Sequence, residues 1–135
     1  MRTRRILSGL GTAALAATAS LASATPASAA TWDEWMYTDD SDSGGVVRFR
    51  ADGDVVQLCD IDADGARVNL EVYNTSQGGR WQYGLKVGGN GNCIEARASF
   101  GGPYNLREGD VYEFRIWLSK DPYVSLDEAH WLNEN

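Results

Sequence analysis

RVNLEVY, residues 67–73, is the stretch that decides the fold class of this chain. Its apolar residues Val68, Leu70 and Val72 occupy every second position. Successive side chains of a β-strand point to opposite faces of a sheet, so strict alternation is typical of a strand with one buried face. The stretch therefore predicts a half-buried strand in an antiparallel sheet.

Three further segments, residues 80–87, 93–100 and 111–118, alternate in the same way. We expect their apolar residues to point inward: Trp81, Tyr83, Leu85 and Val87, then Ile94, Ala96, Ala98 and Phe100, then Tyr112, Phe114, Ile116 and Leu118. A hairpin-like turn at 51–54 joins two more strands, and Gly-rich turns separate the rest. The pattern predicts an all-β fold, a small antiparallel β-sandwich of six to eight strands.

The C-terminal segment, residues 119–135, differs in character. Ser125 followed by Glu128 fits a helix capping box. A short C-terminal helix and a tail without regular structure are the two alternatives, and the capping box favours the helix. The core of the domain is therefore expected within about residues 44–118.

Residues 1–29 have the pattern of a signal peptide. A basic start precedes an Ala-rich apolar run at 10–22, and small residues at 27–29 predict cleavage after Ala29. The product would be a single secreted domain, residues 30–135, without a later apolar stretch long enough for a membrane span. The paired arginines near the start partly match a twin-arginine export motif, so the export route stays open.

Charge restricts the classes of partner. The chain has a net charge of −7, and cleavage would remove three of its twelve basic residues and none of its nineteen acidic ones, giving −10. Nucleic acids and anionic membranes require a basic surface, so we expect neither as a partner. A cation or a basic molecule is the electrostatically favourable companion of a monomer with this charge.

Cys59 and Cys93 are the only cysteines. An exported chain can oxidise them to one disulfide, which would close a loop of about 35 residues and stabilise the fold by roughly 3–4 kcal/mol. Each cysteine shares the strand parity of polar neighbours, so we expect the bridge on the polar face of a sheet or at a strand end.

Residues 60–65, with the sequence DIDADG, resemble a calcium-binding loop that Glu71 would complete. The predicted strands on both sides favour a β-hairpin tip over an EF-hand, whose loop lies between helices. Glu71 would lie roughly 17–23 Å along an extended strand and could not close the site. The candidate calcium ligands are therefore the side chains of Asp60, Asp62 and Asp64 and the backbone carbonyl of Ala66. A solvated hairpin turn is the alternative, because exposed turns also favour Asp and Gly.

The sequence contains no recognisable catalytic motif. His130 is the single histidine, and no G-x-S-x-G nucleophile elbow or zinc-ligand pattern accompanies it. Tyr73 and Trp117 fall on the polar parity of their strands and are the candidate binding aromatics, since exposed rings can stack on a sugar or a protein. Packing beneath loops is the alternative for both rings.

The run GDVVQLCD at 53–60, the ADG at 63–65 and the EGD at 108–110 that leads into Phe114-Arg115 carry a resemblance. Over about residues 44–118 the chain resembles a broad, largely uncharacterised group of small secreted actinobacterial β-domain proteins. The resemblance implies a compact secreted β-domain and no particular activity. Extra aromatic residues at 32–37 and the segment after Lys120 depart from it.

These patterns predict an exported, non-enzymatic module that binds an extracellular glycan or protein. A secreted structural or inhibitor-like protein that uses its acidic surface is the alternative, and a small carboxylate-based hydrolase comes third. Calcium is the one cofactor that the sequence suggests.

Overall fold

The computed structural model describes residues 31–135, so the predicted signal peptide lies outside the described part of the chain. These residues form eight β-strands: β1 (Glu34–Tyr37), β2 (Gly45–Arg50), β3 (Val55–Asp60), β4 (Arg67–Asn74), β5 (Arg80–Gly88), β6 (Cys93–Ala96), β7 (Val111–Leu118) and β8 (Asp127–Leu132). Three single 3-10 turns occupy Thr75–Gln77, Ala98–Phe100 and Gly102–Tyr104. No helix within residues 31–135 is long and apolar enough to cross a membrane.

The strands form two antiparallel sheets of four strands each. The first sheet has the order β1-β2-β3-β6, and the second has the order β5-β4-β7-β8. Strand β4, the stretch with the clearest alternation, lies in the interior of the second sheet between β5 and β7. The predicted all-β sandwich of six to eight strands is thereby confirmed.

The core lies between the two sheets and follows the predicted alternation in the central strands. Val68, Leu70 and Val72 of β4 are at most 1% exposed, and so are the four inward residues of β7. The first sheet contributes Val47, Phe49, Val56 and Leu58 to the same core. Removal of these side chains from water is the main favourable contribution to folding.

The predicted C-terminal helix is wrong, because residues 127–132 form β8 and pair with β7. Trp131 enters the core, where its ring stacks on Phe49 at 6.2 Å and packs on Phe114 at 4.5 Å. Ser125, the expected helix cap, is fully buried. Its hydroxyl accepts the Leu118 N–H (2.8 Å) and donates to the Asp121 carbonyl (2.7 Å), so it closes the β7–β8 connection.

The expected core range of 44–118 omits two strands. Strand β1 adds Met36, and β8 adds Trp131, to the buried cluster. A buried network also joins the C-terminus to the β2–β3 turn: Asp54 accepts hydrogen bonds from the Leu106 N–H (2.8 Å) and from Asn133 Nδ2 (2.9 Å). Burial raises the pKa of this carboxyl group. The segment after residue 118 is thus an integral part of the fold.

Of the four residues within 93–100 that were predicted to point inward, only Ala96 is buried. Strand β6 ends there, and a 3-10 turn replaces the expected continuation. Ile94 is 39% exposed and Phe100 is 59% exposed. Phe100 contacts the ring of Tyr104 edge-on at 5.9 Å, so it covers an aromatic neighbour on the surface instead of filling the core.

Trp81 was also expected in the core, but it is 56% exposed. The β4–β5 pairing shifts register at a bulge, so that Tyr83 lies opposite Val72 while Trp81 lies opposite Tyr73. A bulge inserts one extra residue, here Gln82, and breaks the alternation beyond it. Tyr83 is therefore buried as expected, whereas Trp81 is not.

The disulfide between Cys59 and Cys93 is confirmed. The two cysteines are register partners on β3 and β6, next to the pair Gln57 and Glu95. Gln57 and Glu95 join through a side-chain hydrogen bond of 3.0 Å. The bridge therefore lies on the polar face of the first sheet, one of the two places that the strand parity predicted. It links the short edge strand β6 to the interior strand β3.

Candidate functional site

The acidic loop at residues 60–65 follows β3, and its first aspartate is held inside the structure. Asp60 is 2% exposed. Its Oδ2 accepts the Gly89 N–H at 2.7 Å, and its Oδ1 accepts the Asp62 N–H at 3.2 Å. The carboxylate therefore connects the loop to the neighbouring turn at residues 88–92.

Asp64 is held by a turn hydrogen bond and an ion pair. Its Oδ1 accepts the Ala66 N–H at 2.8 Å, and its Oδ2 lies 2.6 Å from Lys120 Nζ. The hydrogen bond from Lys120 is the main cause that lowers the pKa of Asp64. A lysine from the β7–β8 connection thus supplies a positive charge beside the loop.

These contacts define what calcium binding would require. No group of three or more His, Cys, Asp or Glu side chains within residues 31–135 has an arrangement suited to a metal. A cation shared by Asp60, Asp62 and Asp64 would have to replace Lys120 on Asp64. The calcium site, including the Ala66 carbonyl, stays a prediction.

Substitution of the competing lysine offers a test of that prediction. Lys120→Ala leaves Asp64 without its ammonium partner, so we expect Ca²⁺ to stabilise this variant more than the wild type. A concentration of Ca²⁺ ten times a millimolar Kd would add about 1.4 kcal/mol to the free energy of unfolding. The measurement is thermal melting with Ca²⁺ and with a chelator. The Lys120→Ala/Asp64→Asn variant is the control and should not respond; equal melting of Lys120→Ala in both buffers would contradict the site.

Tyr73 and Trp117, the predicted binding aromatics, lie on the outer face of the second sheet. Tyr73 donates a 2.5 Å hydrogen bond from its hydroxyl to Glu71, and this bond is the main cause that raises its pKa. The Arg115 guanidinium lies 4.9 Å from the centre of the Tyr73 ring. A charged neighbour therefore already covers one face of this ring.

Arg115 is held over Tyr73 by two carboxylates. Its Nε lies 2.8 Å from Glu113 and 3.2 Å from Glu128. His130, the single histidine, is exposed on β8 in register with Glu113. This part of the face is a network of paired charges.

Trp117 is half-buried beside a shallow groove of about 370 Å³. Gly84 contributes to the groove, which Glu71 and Lys86 also line. Trp117 and Tyr73 share one face, but Arg115 lies between them on β7 in register with Glu71. The two rings therefore do not form a continuous aromatic surface.

Sequence reasoning missed another concave site, which is larger than the groove beside Trp117. It is an open cleft of about 630 Å³, and we call it the Trp81 cleft. The exposed Trp81 at the start of β5 lines it, together with residues of the segment 102–107 before β7. The polar side chains that line it are Arg80, Arg107, Asn74, Gln77, Gln82 and Asn105. Gly102, Pro103 and Tyr112 complete the lining.

Hydrogen bonds hold the floor of the Trp81 cleft in place. Asn74 Nδ2 donates to the Tyr112 hydroxyl (3.1 Å) and to Asp110 (2.8 Å), and Asn74 Oδ1 accepts the Gln77 N–H (3.1 Å). The Tyr112 hydroxyl also accepts the Arg107 N–H at 2.7 Å. Tyr112 is 1% exposed, so a buried core residue holds both Asn74 and the backbone of Arg107, which line the cleft.

The residues that line the Trp81 cleft combine an exposed tryptophan with amide and guanidinium side chains. An aromatic face can pack on the C–H face of a sugar ring, while amides and guanidinium groups can bond its hydroxyl groups. Its volume falls within the usual range of ligand sites, about 300–1,000 Å³. The glycines at 78–79 and 101–102 and the proline at 103 were the available signals, but they predict turns and not the bulge that exposes Trp81.

Compared with known proteins, the chain matches no protein-family model, no curated protein and no solved structure. The resemblance to small secreted actinobacterial proteins stays a prediction.

Proposed function

We propose that the chain is an exported, non-enzymatic binding module that holds a glycan in the Trp81 cleft. The observation that carries the proposal is the Trp81 ring, which a β-bulge keeps 56% exposed at the edge of a cleft with polar walls. An exposed indole costs solvation free energy, and burial of its face by a ligand would recover part of that cost.

The compartment is part of the same proposal. The disulfide is consistent with an oxidising location outside the cytoplasm, where such bridges persist. Secretion through the predicted signal peptide at residues 1–29 would place the module where polysaccharides are available as ligands. Residues held by a rigid scaffold, such as Asn74 and Tyr112, favour a binding site that changes little when a ligand enters.

Trp81→Ala should weaken glycan binding at least tenfold, because the variant loses the aromatic wall and keeps the polar groups. The measurement is a pull-down on a panel of insoluble polysaccharides, followed by calorimetric titration with a soluble oligomer of any that bind. Unfolding of the variant should remain unchanged, since the ring is mostly exposed.

Two other tryptophans are matched controls for Trp81. Trp35, on the first sheet, is 59% exposed, and Trp35→Ala should leave binding intact. Trp117→Ala tests the outer face of the second sheet. Loss of binding in either control, with Trp81→Ala unaffected, would contradict the assignment to the Trp81 cleft, and no binding to any polysaccharide would contradict the function.

An inhibitor-like role has one specific observation in its favour. Tyr123 is 94% exposed and Val124 is 69% exposed, at the tip of the β7–β8 connection. The Val124 N–H donates to the Asp121 carbonyl at 3.2 Å, which closes a turn with Pro122 in its second position. A rigid turn with an exposed tyrosine suits insertion into a protein partner. Co-purification of a basic protein that Tyr123→Ala abolishes would favour this role.

A further inference from the structure

We infer that the Trp81 cleft selects a glycan that carries carboxylate groups, and that Arg80 and Arg107 recognise the charge. The inference rests on the proposed glycan-binding function and adds the chemical class of the ligand. Three observations carry it: the charge of the lining residues, the availability of the two guanidinium groups, and the elements that hold the two arginines.

The residues that line the Trp81 cleft have a net positive charge, whereas the net charge of the whole chain is negative. The chain has nineteen acidic and twelve basic residues, yet the ten residues that line this cleft include two arginines and no carboxylate. The cleft beside the acidic loop is lined by Asp60 and Asp62 together with a single arginine. The groove beside Trp117 has one acid and one base. Of these three concave sites, only the Trp81 cleft has an excess of positive charge.

The two arginines form no salt bridge within residues 31–135, where the bridges present involve Arg97, Arg115 and Lys120. Asp110 adjoins the cleft, but its Oδ2 accepts hydrogen bonds from Asn74 (2.8 Å) and Gln77 (3.3 Å). Two amides therefore engage this carboxylate in place of the guanidinium groups, which remain available to a ligand. A guanidinium group can bond both oxygens of a carboxylate at once.

Both arginines come from positions that the fold holds in place. Arg80 begins β5 and pairs in register with the buried Asn74. The backbone of Arg107 is bonded to the Tyr112 hydroxyl at 2.7 Å. Two cationic groups beside one aromatic wall match a sugar ring whose apolar face lies on Trp81 and whose acid group lies at its edge.

The test uses short oligomers of polygalacturonate, alginate and hyaluronan, each paired with its methyl ester. Esterification removes the negative charge and keeps the sugar rings. We expect at least one acidic oligomer to bind ten or more times tighter than its ester. Short oligomers are preferred because a long polyanion would also meet the aspartates elsewhere on the surface.

Arg80→Gln and Arg107→Gln should each weaken binding of that acidic oligomer at least tenfold and leave binding of its ester unchanged. Arg50→Gln, on the first sheet, is the control and should change neither. Equal affinity for acid and ester, or acid binding that both cleft variants retain, would overturn the inference. If acid and ester bind equally well and both depend on Trp81, glycan binding stands while the acidic selectivity fails; absence of binding to any glycan would overturn both.

Discussion

Trp131→Ala is expected to lower the free energy of unfolding by about 3–5 kcal/mol, the usual cost of truncating a buried aromatic residue. The Trp131 ring is 8% exposed and packs between Phe49 of the first sheet and Phe114 of the second. Its removal would leave a cavity where the two sheets meet. A single domain of this size has about 5–15 kcal/mol of stability, so the variant would lose a large share of it.

Urea unfolding followed by fluorescence and circular dichroism would measure the loss. His130→Ala is the matched control, because His130 is the preceding residue of the same strand and its side chain is exposed. That change should stay within about 0.5 kcal/mol of the wild type. A loss below about 1 kcal/mol for Trp131→Ala would contradict the placement of β8 in the core.

Removal of the disulfide, as Cys59→Ala/Cys93→Ala, should lower the free energy of unfolding by about 3–4 kcal/mol. The bridge joins residues 34 positions apart, so the unfolded chain gains considerable freedom when it is absent. Strand β6 has only four residues and lies at the edge of its sheet, where the bridge is its covalent attachment to β3. Alanine is chosen because Cys59 is 3% exposed and a serine hydroxyl would be buried.

The redox dependence of unfolding separates the bridge from the packing of the two side chains. A reducing agent should lower the stability of the wild type to about that of the double variant and leave the variant unchanged. Identical unfolding of wild type and variant under oxidising conditions would show that the bridge contributes nothing to stability.

The central part of the fold was predictable because its information is local. The alternation in β4 and β7 follows directly from the pleat of a strand, and every inward residue predicted for these strands is buried. The parity of Cys59 and Cys93 also predicted a bridge on the polar face or at a strand end, and the bridge lies on the polar face. The C-terminal strand was not predicted because Ser125 and Glu128 match a capping box, while the burial of Trp131 depends on the pairing of β8 with β7.

The candidate site could not be predicted in the same way. The Trp81 cleft is formed by residues within 74–82 and 102–112, which are distant in sequence and meet only when β4 pairs with both β5 and β7 in the second sheet. Trp81 has the parity of a core residue, and the register shift that exposes it depends on how β4 pairs with β5. Tyr73 shows the converse: it has the parity of an exposed ring, yet Arg115 covers it from the neighbouring strand.

The sequence by itself determined the all-β class and the buried faces of β4 and β7, because both follow from the periodicity of apolar residues. It also determined the cysteine pairing, because the chain has only two cysteines. Only the tertiary structure decided the surroundings of the individual side chains. Lys120 contacts Asp64 although the two residues are 56 positions apart in the sequence. Trp81 faces solvent because one extra residue in β5 shifts its pairing with β4. Alternation identifies the two faces of a strand, but the partners on each face are set by register and sheet order, which arise only from long-range packing.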